Sequence, residues 1–232
     1  MFSMPSDKSP GSDGFIGIFF KECWDIIKED VLEAFHQLHG MNGLDFKFLN
    51  SANIVLIPKK SNAKPVGYYR PISLIHNIAK FFSKLLANRL SPFLNTLVSK
   101  SQSAFIRKRC IQDNFLYVQN VVRQLHKMKK PALFLKLDIQ KAFDTVNWGY
   151  LLEVLCVMGF GLQLREWISI LIGLATSRAL LNGCQGTNFQ HKRGAGGPSF
   201  PMLFILAIDP LQRILDLATQ HRILSPIPLA VA

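Results

Sequence analysis

The sequence predicts an α+β fold, in which helices and short strands mix along one chain without strict β-α alternation. The composition supports a folded chain, because 49% of the 232 residues are hydrophobic and only 18% are charged. The four cysteines are scattered and form no CxxC pair, which predicts free thiols rather than a zinc site or a disulfide framework.

Helices are predicted where apolar residues recur every three or four positions, which gives one buried stripe per helix. A first helix begins near Phe20 and ends before the glycines of "GMNG" (40–43). Another begins near Ala142 and continues past Trp148. The remaining predicted helices cover residues 78–90, 115–125, a stretch around Trp167, and 202–220.

Strands are predicted where short apolar or β-branched runs meet proline or glycine. "ANIVLIPKK" (52–60) is such a run, stopped by Pro58 and leading into a basic loop. "SRALLNG" (177–183) closes on Asn-Gly, the commonest hairpin signal. "ALFLKLD" (132–138) is the clearest strand, and "PVGYYRPIS" (65–73) is extended or turning.

The positive charge is concentrated in one part of the chain. Residues 46–137 contain 17 Lys or Arg and one acid, Asp113, so this stretch carries +16 while the whole chain carries +12. Because the stretch also contains apolar helix and strand patterns, we interpret it as a folded surface that faces a nucleic acid. A solvated basic face and a patch for anionic membranes stay open as alternatives.

The N-terminal stretch and the most apolar window are used to predict the cellular location of the protein. The chain opens on the polar "MFSMPSDKSPGSDG", which does not resemble a signal peptide. The window at 167–181 is interrupted by Arg178 and is too short to span a bilayer. We therefore expect an intracellular protein, nuclear or cytoplasmic, with no membrane partner.

Asp138 is the first candidate for chemistry, because a carboxylate at the end of a buried strand can hold a hard cation on a rigid edge. The same residue could simply cap the following helix. Spacing alone leaves these two interpretations open.

A resemblance to a known family adds to the interpretation of Asp138. The chain resembles the reverse transcriptase domain of non-LTR (LINE-type) retrotransposons, particularly plant ones, from about Ser9 to Pro226. The resemblance is specific, because six blocks stand in the order that the family has. They are "SPGSDGF" (9–15), "ANIVLIPKK" (52–60), "YRPISLIHNIAKFFSKLLANRL" (69–90), "SQSAFIRKRCIQDN" (101–114), "LKLDIQKAFDTVNW" (135–148) and "PMLFILAIDPLQRIL" (201–215).

The resemblance implies a partial right-hand polymerase fold, with fingers and an incomplete palm whose central strand ends at Asp138. It divides the chain into four segments. These are an N-terminal helical segment (1–50), a basic fingers-like region (51–131), an incomplete palm (132–220) and an atypical tail (221–232).

The resemblance also implies roles for individual residues. Asp138 would hold catalytic Mg²⁺, with the backbone carbonyl of Ile139 as a secondary ligand. Phe143 would be the gate that rejects a 2′-hydroxyl, although core packing is the default for such an aromatic, and Asp144 would be structural. The triphosphate would be gripped by Lys59, Lys60 and Arg70, and the nucleic acid contacted by Arg107, Lys108 and Arg109. The implied partners are an RNA template and a DNA primer.

Two departures from the family predict that the chain is catalytically inactive. The loop "RGAGGPSFP" (193–201) is two residues shorter than the family's RGLRQGDPLSP and lacks its Gln-Gly pair. None of the ten Asp forms the Asp-Asp pair of the family's Tyr-Ala-Asp-Asp turn. Asp209 and Asp216 cannot replace it, because both lie on a predicted helix and Asp209 precedes a proline, as N-caps do.

The missing turn has a structural consequence as well. Without its two strands, the strand ending at Asp138 has an open edge, which favours pairing with another chain. The alternative function that we retain is a non-catalytic RNA- or DNA-binding module derived from the polymerase.

Overall fold

The computed structural model describes residues 6–40, 49–139, 141–194 and 199–225. The helices are α1 (Gly17–Glu22), α2 (Trp24–His39), α3 (Asn77–Leu90), α4 (Leu94–Leu97), α5 (Ile111–Lys127), α6 (Ala142–Thr145), α7 (Trp148–Val157), α8 (Leu162–Gly173) and α9 (Phe200–Gln220). The strands are β1 (Ser51–Pro58), β2 (Tyr69–Ile75), β3 (Thr176–Leu181) and β4 (Cys184–Gln190), with a 3₁₀ turn at Val66–Tyr68.

The strands form one mixed sheet in the order β2-β1-β3-β4. β1 pairs antiparallel with β2 and parallel with β3, while β3 and β4 form an antiparallel hairpin. Asn182 and Gly183 close that hairpin with φ of 49° and 81°, the conformation that a two-residue hairpin turn requires. The sheet confirms the predicted α+β class, and it joins strands from the 51–131 and 132–220 segments. The division into segments stays a prediction.

The core lies among helices α3, α7, α8 and α9. Leu151, Leu155, Ile205 and Leu206 are at most 1% exposed, and each such side chain contributes about 1.5–3 kcal/mol of burial free energy. An edge-on contact between Phe82 and Trp167, with ring centres 6.0 Å apart, joins α3 to α8. Residues of α3, α8 and α9 also line a cavity together with residues of the sheet.

Two predicted helices are each divided in the structure. The first is interrupted at Cys23, which separates α1 from α2. The second is interrupted at Val146 and Asn147, whose backbone is extended. The side chain of Asn147 accepts the amide of Tyr150 at 3.0 Å, so α7 begins with its own N-cap.

The predicted strand at 132–138 is not formed. Residues 131–139 contain no helix, strand, turn or bend, and every residue of the segment is exposed. The apolar pattern favours a strand, but a strand needs the backbone of a neighbour to complete its hydrogen bonds. In the part of the chain that the structure describes, no strand lies beside this segment. Asp138 therefore follows an exposed, unpaired stretch rather than a buried palm strand.

Asp209 also differs from its predicted N-cap role. The helix begins nine residues earlier, because the apolar periodicity already starts at Phe200, so Asp209 lies inside α9. Its carboxylate is buried and accepts the amide of Ser99 at 2.8 Å and Nε of Arg213 at 3.3 Å. Asp209 thus holds the chain after α4 against α9.

Candidate functional site

The tip of the β1–β2 hairpin collects three of the predicted site residues, Lys59, Lys60 and Arg70, which we call the hairpin tip. Lys59 donates its amide to the carbonyl of Tyr68 at 2.8 Å and its ammonium to the carbonyl of Gly67 at 3.0 Å. The Lys60 ammonium lies 3.7 Å from the ring centre of Tyr68. Arg70 is exposed near the start of β2. The antiparallel register therefore places three positive charges at one end of the sheet.

Asp138 and Ile139 lie on the exposed segment 131–139. The Asp138 side chain makes no hydrogen bond or ion pair with any residue in the described ranges, and Ile139 is 46% exposed. The side chain of Asp138 is thus accessible, but its position is not fixed by neighbouring groups. Its predicted role in catalysis stays a prediction.

The residues around Asp138 do not complete a magnesium site. Within the described residues, no group of three or more His, Cys, Asp or Glu side chains is placed to share a metal ion. A single carboxylate and one carbonyl offer few of the six oxygen ligands that Mg²⁺ takes, most of which would then be water. The donor set of the described residues therefore does not fit a resident ion.

Phe143 lies on the short helix α6 and is 38% exposed. Its ring centre is 5.0 Å from that of Phe204 on α9 and 6.4 Å from that of Phe105. One side of the ring is therefore packed and the other side is open to solvent. This arrangement is compatible both with a gate and with ordinary packing, so the gate role stays a prediction.

Gly194 holds the segment after α6 against the loop that follows β4. Its amide donates to the carbonyl of Val146 at 3.1 Å, and its carbonyl accepts the indole N–H of Trp148 at 2.8 Å. A Cβ added at Gly194 would lie 2.5 Å from Cα of Asp144, and the φ of Gly194 is +61°. Only glycine fits this close approach. Asp144 keeps a structural place here, with its amide bonded to the carbonyl of Lys141 at 2.8 Å.

A cavity of about 330 Å³ lies between the sheet and helices α3, α8 and α9. His191 contributes to its wall, and Nε2 of His191 is 2.7 Å from the buried hydroxyl of Ser177. Burial lowers the pKa of the His191 imidazole, and the nearby carboxylate of Asp144 only partly offsets this. Other polar residues in the wall include Lys80, Ser83, Arg193 and Ser199.

The three residues predicted to contact nucleic acid, 107–109, differ in whether their side chains face solvent or bind groups of the chain itself. Arg107 and Lys108 are exposed, and Lys108 has φ of 67°, which marks a turn. Arg109 instead donates its guanidinium to groups of its own chain. The acceptors are the carbonyls of Ser99 and Gln102, both at 2.6 Å, and the carbonyl and side chain of Asn95, both at 3.2 Å. A nucleic-acid contact by any of the three stays a prediction.

Sequence reasoning singled out the block "SPGSDGF" but assigned no role to Asp13. The carboxylate of Asp13 accepts the amide of Asn77 at 2.7 Å and its side-chain nitrogen at 3.0 Å. Asn77 also donates to the carbonyl of Phe15 at 2.8 Å. A Cβ at Gly11 would overlap the carbonyl oxygen of Ile75, so the two backbones are in close contact. The N-terminal segment is therefore fastened to the junction of β2 and α3.

Across residues 6–40, 49–139, 141–194 and 199–225, every helix is too short or too polar to cross a bilayer.

The described fold can be set beside a comparison with known families. Residues 57–225 match the family model described as reverse transcriptase (RNA-dependent DNA polymerase). The match covers most of the chain, and the chain therefore belongs to the reverse transcriptase family.

The relatives narrow this class to the non-LTR retrotransposons. The chain is 29% identical over 209 residues to the transposon TX1 uncharacterized 149 kDa protein of Xenopus laevis, covering 89% of this chain and 16% of that protein. It is 27% identical over 194 residues to a Pol polyprotein from element R2 of Nasonia vitripennis, covering 82% and 18%. A Pol polyprotein from element R1 of Bradysia coprophila is 29% identical over 144 residues, covering 61% and 14%.

The chain thus corresponds to the reverse transcriptase domain of such elements and spans less than a fifth of the length of these three relatives. These three elements come from animals, and the particular likeness to plant elements stays a prediction.

Proposed function

We propose that this chain binds an RNA template and a DNA primer as part of a reverse transcriptase domain, and that the 232-residue chain does not itself synthesise DNA. One contrast carries the proposal. Three basic residues are gathered at the hairpin tip, where Gly67 and Tyr68 contact the two lysines. Asp138 instead lies on an exposed segment, and no described group of three or more possible metal ligands includes it.

The absence of synthesis is supported by the chemistry of the two-metal reaction. That reaction needs carboxylates that hold two ions about 3.5–4 Å apart against the attacking and leaving oxygens. The sequence has no Asp-Asp pair. Asp209 faces Ser99 and Arg213 from inside α9, where its carboxylate is already engaged. We therefore expect that Asp138 alone cannot assemble the reaction centre.

Primer extension tests this part of the proposal. The purified chain is given a primed RNA template, deoxynucleoside triphosphates and either Mg²⁺ or Mn²⁺, and product length is followed on a denaturing gel. We expect no extension. Template-dependent extension that disappears in Asp138→Ala would show that the chain is an active polymerase.

A second candidate function, a derived module that binds RNA or DNA without pairing a template with a primer, is favoured by the hairpin tip. Lys59 and Lys60 are fixed by Gly67 and Tyr68 and still present their charge to solvent. Fixed ammonium groups neutralise phosphates at a lower entropic cost than freely rotating ones. Together with the +16 stretch from 46 to 137, the tip favours a surface for single-stranded or hybrid nucleic acid.

The salt dependence of binding tests the second candidate. We compare the wild type, Lys59→Ala/Lys60→Ala, and the matched control Lys8→Ala/Lys28→Ala, which removes the same charge outside the 46–137 stretch. Fluorescence anisotropy with a labelled single-stranded RNA is measured from low to moderate salt.

If both tip lysines contact phosphates, the slope of log K against log salt should become about 1.4 less steep in the tip variant. The control should keep the wild-type slope. Binding that ignores salt, or equal losses in the two variants, would contradict the role of the tip.

A further inference from the structure

Residues 131–139, "PALFLKLDI", form an exposed apolar segment that we call segment A. Leu133, Leu135 and Leu137 are 92%, 71% and 66% exposed. Single exposed leucines are ordinary, but a contiguous run of them marks a contact surface. The segment follows α5, a helix that has no buried residue although its apolar residues lie on one face.

The backbone of segment A is also unpaired. Among the described residues, no backbone hydrogen bond involves an amide or carbonyl from 131 to 139. A run of free amides and carbonyls beside apolar side chains is a template for adding a strand. The segment has no turn or bend that would prevent this.

The charges of segment A complement each other in one particular register. In a strand, Lys136 and Asp138 would point to one face, while Leu135, Leu137 and Ile139 would point to the other. If two copies pair antiparallel about Leu137, Lys136 of each copy stands opposite Asp138 of the other. The same register places Leu135 opposite Ile139, so both faces match.

We propose that segment A is a self-association site, at which two copies of this chain pair as antiparallel strands centred on Leu137. The two-fold symmetry repeats each favourable contact, so one copy's Lys136–Asp138 sequence supplies both halves of two ion pairs. Any other extended strand would need its own matching charges. The segment alone supplies all the groups that this pairing requires.

An apolar groove lies beside the start of segment A. A cavity of about 400 Å³ lies between α5 and the start of the segment, and its wall includes Tyr117, Val121, Leu125, Leu133 and Phe134. In the register about Leu137, Ile139 of the second copy would stand opposite Leu135, on the same face as the groove residue Leu133. Pairing would also engage the carboxylate of Asp138, which the polymerase reaction needs free. This inference is independent of the proposed function.

A charge exchange tests the proposal. The mass of the chain is measured by light scattering after gel filtration over a range of concentrations, for the wild type and for Lys136→Asp, Asp138→Lys and the double exchange Lys136→Asp/Asp138→Lys. The matched control is Lys129→Asp, the same charge change in the exposed turn before the segment. Circular dichroism confirms that each variant is folded.

We expect a wild-type dimer, a dissociation constant raised about tenfold or more in either single variant, and recovery in the double exchange. The control should dimerise like the wild type. Amide exchange at 135–139 should slow as the dimer forms. A monomer at all soluble concentrations, a dimer that ignores the single changes, or a double exchange that fails to recover would each overturn the proposal.

Discussion

Arg109 shows how a basic residue in a predicted binding cluster can be used inside the chain. Its guanidinium joins the end of α4 to the loop at 99–102 through contacts with Asn95, Ser99 and Gln102. The planar group of arginine satisfies several carbonyls at once, which lysine could not do. The neighbouring Arg107 lacks such contacts within the described residues and remains exposed.

We therefore predict that Arg109→Ala destabilises the fold, whereas Arg107→Ala does not. Loss of the charged donor should lower the free energy of unfolding by about 2 kcal/mol, since hydrogen bonds to charged groups contribute about 1.5–3 kcal/mol. The alanine at position 107 should stay within about 0.5 kcal/mol of the wild type. Urea denaturation of both variants measures this, and equal stabilities would refute the structural role of Arg109.

Gly194 leads to a second prediction at the residue scale. Gly194→Ala should lower the free energy of unfolding by about 1–3 kcal/mol, because its Cβ would meet the backbone of Asp144. The matched control is Gly14→Ala, which has a similar φ of +76° but open space around the new Cβ. Thermal unfolding should rank the control above Gly194→Ala. Equal destabilisation of the two variants would mean that the strained φ, and not the contact, governs these positions.

At the scale of elements, two histidines tie neighbouring pieces of the fold together. His191 joins the residues after β4 to Ser177 on β3. His76 precedes α3, and its Nδ1 lies 3.5 Å from the carboxylate of Asp13. Burial is the main cause that lowers the pKa of His76, and Lys80 adds to the effect while Asp13 opposes it. Burial lowers the pKa of His191 as well.

These shifts give stability a defined pH dependence. Below the ordinary histidine pKa of about 6.5 the unfolded chain takes up protons that the folded chain does not. The contribution of both histidines is therefore fully present above about pH 6.5 and declines as the pH falls towards their lowered folded values. In His76→Asn/His191→Gln, the loss of stability between pH 7 and pH 5, measured by urea titration, should be smaller than in the wild type. An equal loss would exclude this origin.

The elements themselves were predicted unevenly, for a physical reason. Local patterns identified β1, the β3–β4 turn and helices α3 and α9, because periodicity and Asn-Gly act within a few residues. The same local pattern predicted a strand at 132–138, where the outcome depends on a distant partner. The partners of the carboxylates could not be predicted from local patterns either. Only the tertiary fold shows that Asp13 binds Asn77 and that Asp209 binds Ser99.

At the scale of the whole molecule, the helices differ in how much of their surface is buried. Helix α3 is packed into the core, whereas α5 has no buried residue and is followed by segment A. Segments with few buried contacts open with the smallest free energy. Lys59, Lys60 and Arg70 lie within the predicted basic stretch at 46–137. They also lie close together in space, because they belong to one local hairpin.

We predict that limited trypsin digestion cuts first after Lys127, Lys129 and Lys136, well before Lys80 or Lys84. The first three lie in or after the loosely held α5, and the last two lie on α3. Mass spectrometry of early fragments identifies the sites. Early cleavage within α3 would contradict the assignment of the core.

The parallel pairing of β1 with β3 has a consequence for how the protein is made. The contact between Asn50 and the carbonyl of Leu171, just before that pairing, joins residues 121 positions apart. At about 5–20 residues per second, a ribosome needs roughly 6–24 s to synthesise that interval. For the part of this time that follows the synthesis of Ile75, the β1–β2 hairpin lacks its third strand, and isolated hairpins are only marginally stable. The nascent chain therefore has a waiting period in which chaperones, or the RNA near the ribosome, can reach its basic hairpin before the fold closes.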